Sequence, residues 1–67
     1  MKLNVFAKML LNEVKQHPNG LPPERLAIRL GVNVLYVQAY CEMLTDNGFL
    51  NESGDSYIYV EQPTLAV

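Results

Sequence analysis

Apolar residues return at a helical period along the start of the chain. Leu3, Phe6, Ala7, Leu10 and Val14 make one stripe, Met9 and Leu11 widen it, and Lys8, Asn12, Glu13, Lys15 and Gln16 take the wet side. This spacing predicts a helix from Leu3 to about His17. Pro18 pushes His17 out of the α region, and Asn19-Gly20 completes the stop. Leu21 stands as a lone apolar residue before Pro22. Pro22-Pro23-Glu24 then opens a second helix, because proline suits a first turn and a carboxylate suits the positive end of the helix dipole. Leu26, Ala27 and Leu30 form its apolar stripe. Gly31 can take the positive φ that stops a helix, Val32 plugs the corner, and Asn33 is a good cap for a third helix. That helix runs to about Asp46 and buries Val37, Cys41 and Leu44, with Val34 and Tyr40 flanking the stripe. Asn47-Gly48 closes it. Phe49-Leu50 starts a strand, residues 51–56 supply turn chemistry, and Tyr57-Ile58-Tyr59-Val60 is a second strand, so a hairpin follows the third helix. Pro63 ends that strand.

Sixty-seven residues suit one domain, here 1–62, with 63–67 as a short tail whose last residues fray. A chain this short buries only ~60% of its unfolded surface, so a partner or a homodimer would add burial. Apolar residues are 49% of the chain and charged residues 18%, which fits a folded core rather than disorder. The lone cysteine, Cys41, forms no intramolecular disulfide and spells no thiolate zinc site; it reads as a small core residue. His17 stands alone at a helix end, so no metal site is expected. Met9 and Met43 read as core filler. The N-terminus has no apolar run before its next charge, so neither a signal peptide nor a membrane span is expected there. The expected setting is cytoplasmic. There is no nucleophile with a base partner, no glycine-rich phosphate loop and no acidic cluster of metal-site type, so a non-enzymatic chain without cofactor is expected.

Charge divides the chain. Residues 1–32 hold Lys2, Lys8, Lys15, Arg25 and Arg29 against Glu13 and Glu24, a net of +3. Residues 33–67 hold Glu42, Asp46, Glu52, Asp55 and Glu61 with no lysine or arginine, a net of −5. The first half can meet phosphate; the second half repels it.

Two helices joined by a short glycine-containing turn make a helix-turn-helix unit. The order Leu-Ala-x-x-Leu-Gly-Val-Asn-x-x-x-Val, at Leu26 to Val37, resembles the helix-turn-helix core of many bacterial regulators. Asp46-Asn-Gly-Phe-Leu50 looks like the helix exit and first wing strand of many small repressors. The order of elements over roughly residues 5–60 is similar to the winged helix-turn-helix family, and the size resembles compact fimbrial-operon and phage regulators. The resemblance implies a mainly α fold with a small β-hairpin (α+β): three helices plus a two- or three-stranded wing, with Leu21 pairing as a very short extra strand. It also implies a DNA-binding transcriptional regulator, its third helix in the major groove and its wing on the backbone.

Carried onto this chain, the base-facing candidates are Asn33, Val34, Leu35, Tyr36, Gln38, Ala39 and Glu42. The phosphate candidates are Lys8, Arg25 and Arg29, with Lys15 as a further cation. Double-stranded DNA would be the partner, and a homodimer would double the contacts. The chain departs from the family at Gln38, Ala39 and Glu42, where arginine or lysine is usual, and at Glu52 and Asp55 on the wing tip. The alternative is a protein-contact or dimerisation surface made by Leu35, Tyr36, Ala39 and Tyr40, with Tyr57 or Tyr59 extending it, whichever faces outward.

Overall fold

The computed structural model describes residues 2–61. Within them, α1 (Val5–Lys15), α2 (Pro23–Leu30) and α3 (Val34–Asp46) are followed by β1 (Leu50–Ser53) and β2 (Ser56–Tyr59). The mainly helical α+β architecture, with its hairpin placed directly after α3, is the winged-helix-like arrangement expected. The expected tail, 63–67, and the proline stop at Pro63 lie outside the described residues.

Local chemistry moves several boundaries. Leu3 lies ahead of α1, because Asn4 stays extended and its side chain accepts the Ala7 amide at 2.8 Å, fixing the start at Val5. The helix also ends before His17, where the Gln16 amide bonds back to the Asn12 and Glu13 carbonyls. Met9 is 50% exposed rather than core filler, since the buried face runs through Ala7, Leu10, Leu11 and Val14 and Met9 falls to the other side of Leu10. The turn between the strands is shorter than residues 51–56. Only Gly54 and Asp55, a pair that suits a two-residue hairpin loop, separate Ser53 from its partner Ser56. Asn51 and Glu52 are held in β1 by pairing with Ile58 and Tyr57.

The helix-turn-helix corner is built as its residues suggest. Gly31 takes φ +70°, and the Val32 amide returns to the Ala27 carbonyl at 3.1 Å, which satisfies an orphan group at the end of α2. Asn33 then caps α3 through its Oδ1, which accepts the Leu35 amide at 2.8 Å. The exit of α3 uses the same device, with the Phe49 amide on the Leu44 carbonyl at 2.9 Å and the Gly48 amide on Thr45 at 3.1 Å.

One core joins these elements. Leu10, Val14, Leu26, Val37, Cys41, Leu44 and Leu50 are fully buried, and Ala7, Leu11, Leu21, Ala27 and Tyr57 complete the cluster. Leu21 pairs with Tyr57 through two backbone bonds, Leu21 N–H to the Tyr57 carbonyl at 3.0 Å and Tyr57 N–H to the Leu21 carbonyl at 2.9 Å. This single-residue third strand ties the α1–α2 connection to the hairpin. It also brings the chain so close at Gly20 that a Cβ there would lie 2.9 Å from the Tyr57 carbonyl oxygen.

That contrast between glycines is measurable. Gly31→Ala adds a side chain in open space and costs only the left-handed conformation, about 1–2 kcal/mol. Gly20→Ala, at φ +89° and against backbone, is expected to cost about 3 kcal/mol or more in urea-unfolding free energy. Equal losses at the two positions would contradict the close approach of Leu21 to the wing.

Candidate interaction surface

Burial of Val37, Cys41 and Leu44 turns the opposite side of α3 to solvent. Leu35, Ala39, Glu42 and Asp46 line that side at successive helical turns, and Leu35 is 70% exposed. Gln38 is half-buried and borders an open groove of about 650 Å³ between the start of α2, α3 and the hairpin tip. Pro22, Pro23 and Tyr57 give this groove its apolar lining, and Glu24, Glu42, Glu52 and Asp55 its charge; no lysine or arginine lines it. Asp46 extends the acidic side into a neighbouring depression with Glu42, Thr45 and Glu52. Asp46 and Glu24 were not singled out for this face. The helical spacing from Glu42 to Asp46 signals the first, whereas only the fold brings Glu24 to the wing.

The other base-facing candidates are placed differently. Asn33 is exposed, but its Oδ1 is occupied as a cap. Val34 is half-buried and packs against the core. Tyr36 is 48% exposed, and its ring belongs to an aromatic cluster that joins α3 to α1. Its centroid lies 4.9 Å from Phe6 and 5.1 Å from Tyr40, and Phe6 meets Tyr40 edge-on at 4.8 Å. Asn4 Nδ2 donates to the Tyr40 hydroxyl at 2.7 Å. Tyr36→Ala would therefore remove packing between two helices along with exposed surface, which makes Leu35 the cleaner surface probe. Of the two hairpin tyrosines, Tyr57 is buried, with its hydroxyl 3.5 Å from Glu52. Tyr59 is half-buried under Lys15, whose Nζ sits 5.6 Å from the ring centroid. Tyr59 therefore lies outside the α3 surface, and Tyr57 reaches it only as lining of the groove beside Gln38 and Glu42.

No lysine or arginine lines the acidic depressions beside α3. Arg29 Nε donates to Glu13 Oε2 at 2.9 Å, so α2's second arginine is drawn onto α1. This half-exposed pair contributes about 0–1 kcal/mol to stability, but it leaves less free charge for phosphate. Arg25 is exposed and forms no ion pair among the described residues. Lys8 and Lys15 fringe a second, shallower groove of about 240 Å³ between α1 and the hairpin base, floored by Leu3, Leu11, Phe49 and Tyr59. Ile28 on α2, 80% exposed, and Val5 on α1 are also left bare; Ile28 falls opposite the Leu26–Leu30 stripe.

Ionisation follows the packing. Burial, with a smaller contribution from Glu42, pushes the Cys41 thiol up to about 12. Burial and then Glu52 raise the Tyr57 hydroxyl. In the α1–α3 cluster the Tyr36 hydroxyl and then the Asn4 amide favour ionised Tyr40 and lower its pKa, while Tyr40 raises that of Tyr36. Among the described residues no group of three or more histidines, cysteines or carboxylates is set to hold a metal, and no helix is long and apolar enough to cross a membrane. No protein-family model matches the chain, and neither a curated protein nor a solved structure does.

The thiol offers a direct test. A raised folded-state pKa means that Cys41's contribution is fully present below its unfolded value of ~8.5 and is lost as pH climbs toward about 12. At about pH 8 the native protein is expected to react with Ellman's reagent no faster than it unfolds, and at once in denaturant. Rapid labelling of the native state would contradict a buried thiol. Cys41→Ala should remove part of the alkaline loss of stability and leave the part due to Tyr57.

Proposed function

We propose that this chain is a small non-enzymatic protein of winged helix-turn-helix type whose α3–wing face docks protein rather than duplex DNA. One observation carries this choice: every charged side chain that α3 and the hairpin contribute to that face, Glu42, Asp46, Glu52 and Asp55, is a carboxylate. Duplex DNA presents one negative charge per ~1.7 Å of its axis, and phosphate contacts supply essentially all of non-specific affinity. A base contact from Gln38, worth ~1–3 kcal/mol, does not offset four carboxylates held against that charge. Leu35 and Ala39, edged by Tyr36 and followed along the same side of α3 by Glu42 and Asp46, instead leave apolar side chains exposed beside charge, as a protein interface does.

Duplex DNA is the second reading. The glycine turn between α2 and α3, the hairpin after α3 and the exposed Arg25 and Lys8 favour it. In that reading Arg25 and Lys8 would hold the backbone and Gln38 would read bases.

Fluorescence anisotropy of a labelled duplex at ~50 mM salt separates the two, because non-specific Kd values span roughly 10⁻⁴–10⁻⁶ M. No rise in anisotropy is expected up to ~100 µM protein. Binding that weakens with added salt and disappears in Lys8→Ala/Arg25→Ala would overturn protein docking in favour of DNA.

A further inference from the structure

The acidic α3–wing face and the lysine-fringed groove share no residue, yet each supplies what the other lacks. The first offers a row of carboxylates, Glu42 and Asp46 on α3 and Glu52 and Asp55 on the hairpin, with the exposed Leu35 on the same side of α3 about 10 Å along the axis from Glu42. The second offers an apolar floor of Leu3, Leu11, Phe49 and Tyr59 between two cations, and no carboxylate lines it. Lys8 and Lys15 stand seven residues apart on α1, a separation of ~10.5 Å along the axis, and Lys15 covers the Tyr59 end of the floor, its Nζ 5.6 Å from the ring centroid. We propose that the occupant of the α3–wing face is a second copy of this chain, which receives the outward side of α3, Leu35 together with the carboxylates further along it, at its Lys8/Lys15 groove. This rests on the α3–wing face being a protein-docking surface.

The physics of such a contact is specific. Opposite potentials on the two patches steer the copies together and penalise the like-charged arrangements, groove to groove and face to face. The apolar part is small, so the association is weak and of the low-area, transient kind. Its charges stay near water, where the screening length falls from ~10 Å at 0.1 M salt to ~3 Å at 1 M. The two patches differ, so the contact is head-to-tail. Each copy in a pair keeps one unused patch, and assembly continues beyond the dimer unless a ring closes.

Sedimentation equilibrium with charge-swapped variants tests this. Wild-type protein at ~50 mM salt is expected to show a weight-average mass that rises with concentration past that of a dimer, and to return to monomer near 1 M salt. Lys8→Glu/Lys15→Glu leaves both patches acidic, and Glu42→Lys/Asp46→Lys turns the α3 side of the acidic face basic and cancels the hairpin carboxylates, so each variant alone is expected to associate at least tenfold more weakly. Mixing the two variants restores opposite charges and is expected to recover association to within a few-fold of wild type. Far-UV circular dichroism confirms the fold of each. Leu35→Ser, at a side chain outside the core, gives an independent loss if a charge variant unfolds.

The proposal is overturned by a wild-type monomer up to ~1 mM at ~50 mM salt, where charge attraction is least screened. It is overturned equally by association indifferent to salt and to both reversals, which would place the contact at Val5, Met9 and Ile28, or by a mixture that fails to recover. A monomer that also ignores duplex DNA removes only the self-pairing. Salt-sensitive DNA binding removes the docking reading beneath it.

Discussion

Val37, Cys41 and Leu44 point into one apolar core shared with Leu10, Leu26 and Leu50, and this burial sets the rotation of α3 about its own axis. With those three side chains inward, helical geometry leaves Leu35, Ala39, Glu42 and Asp46 no direction but outward. The hairpin is fixed to the same core by Leu50 and Tyr57, and Leu21 pins it from the other side through paired backbone bonds. A core of twelve side chains is small, so a lost contact at its centre weakens all three helices and the wing together.

The charge separation along the sequence becomes a charge separation on the surface, but not by a simple cut at the middle of the chain. Glu24 belongs to the basic half by position and to the acidic groove by location, because the start of α2 meets the hairpin tip. Arg29 belongs to the basic half and is drawn onto Glu13 across the α1–α2 contact. The free cations therefore gather along α1 and at Arg25, and the carboxylates gather around α3 and the wing. On a protein of net charge −2, this polarity matters more than the total.

The tyrosines show how one residue type serves different ends here. Tyr36 and Tyr40 stack with Phe6 and brace α3 against the start of α1, with Asn4 serving both as the cap of α1 and as the donor to Tyr40. Tyr57 fills the core, and Tyr59 carries the Lys15 ammonium on its face. Aromatic rings bury much area at little entropic cost, which suits a domain with few side chains to spare. The exposed apolar remainder falls to Leu35, Val5, Met9 and Ile28.

The order of elements, the stripes that enter the core, the glycine corner at Gly31 and the cap at Asn33 could all be read along the chain, because each depends on neighbours within one or two helical turns. The unequal halves of charge were legible for the same reason, since composition needs no fold. Met9, the short Gly54-Asp55 loop and the start of α1 at Val5 were not, because competition between a cap, a strand partner and an apolar face is settled by which contacts the folded chain can make at once. The aromatic brace joins residues 6 and 36, and the acidic groove joins residues 24, 42 and 55. Such pairings are long-range, and packing decides them. The sequence by itself determined a three-helix, one-hairpin chain with carboxylates in its second half; only the tertiary structure decided which side of α3 those carboxylates share with Leu35, since burial of the opposite side orients the helix.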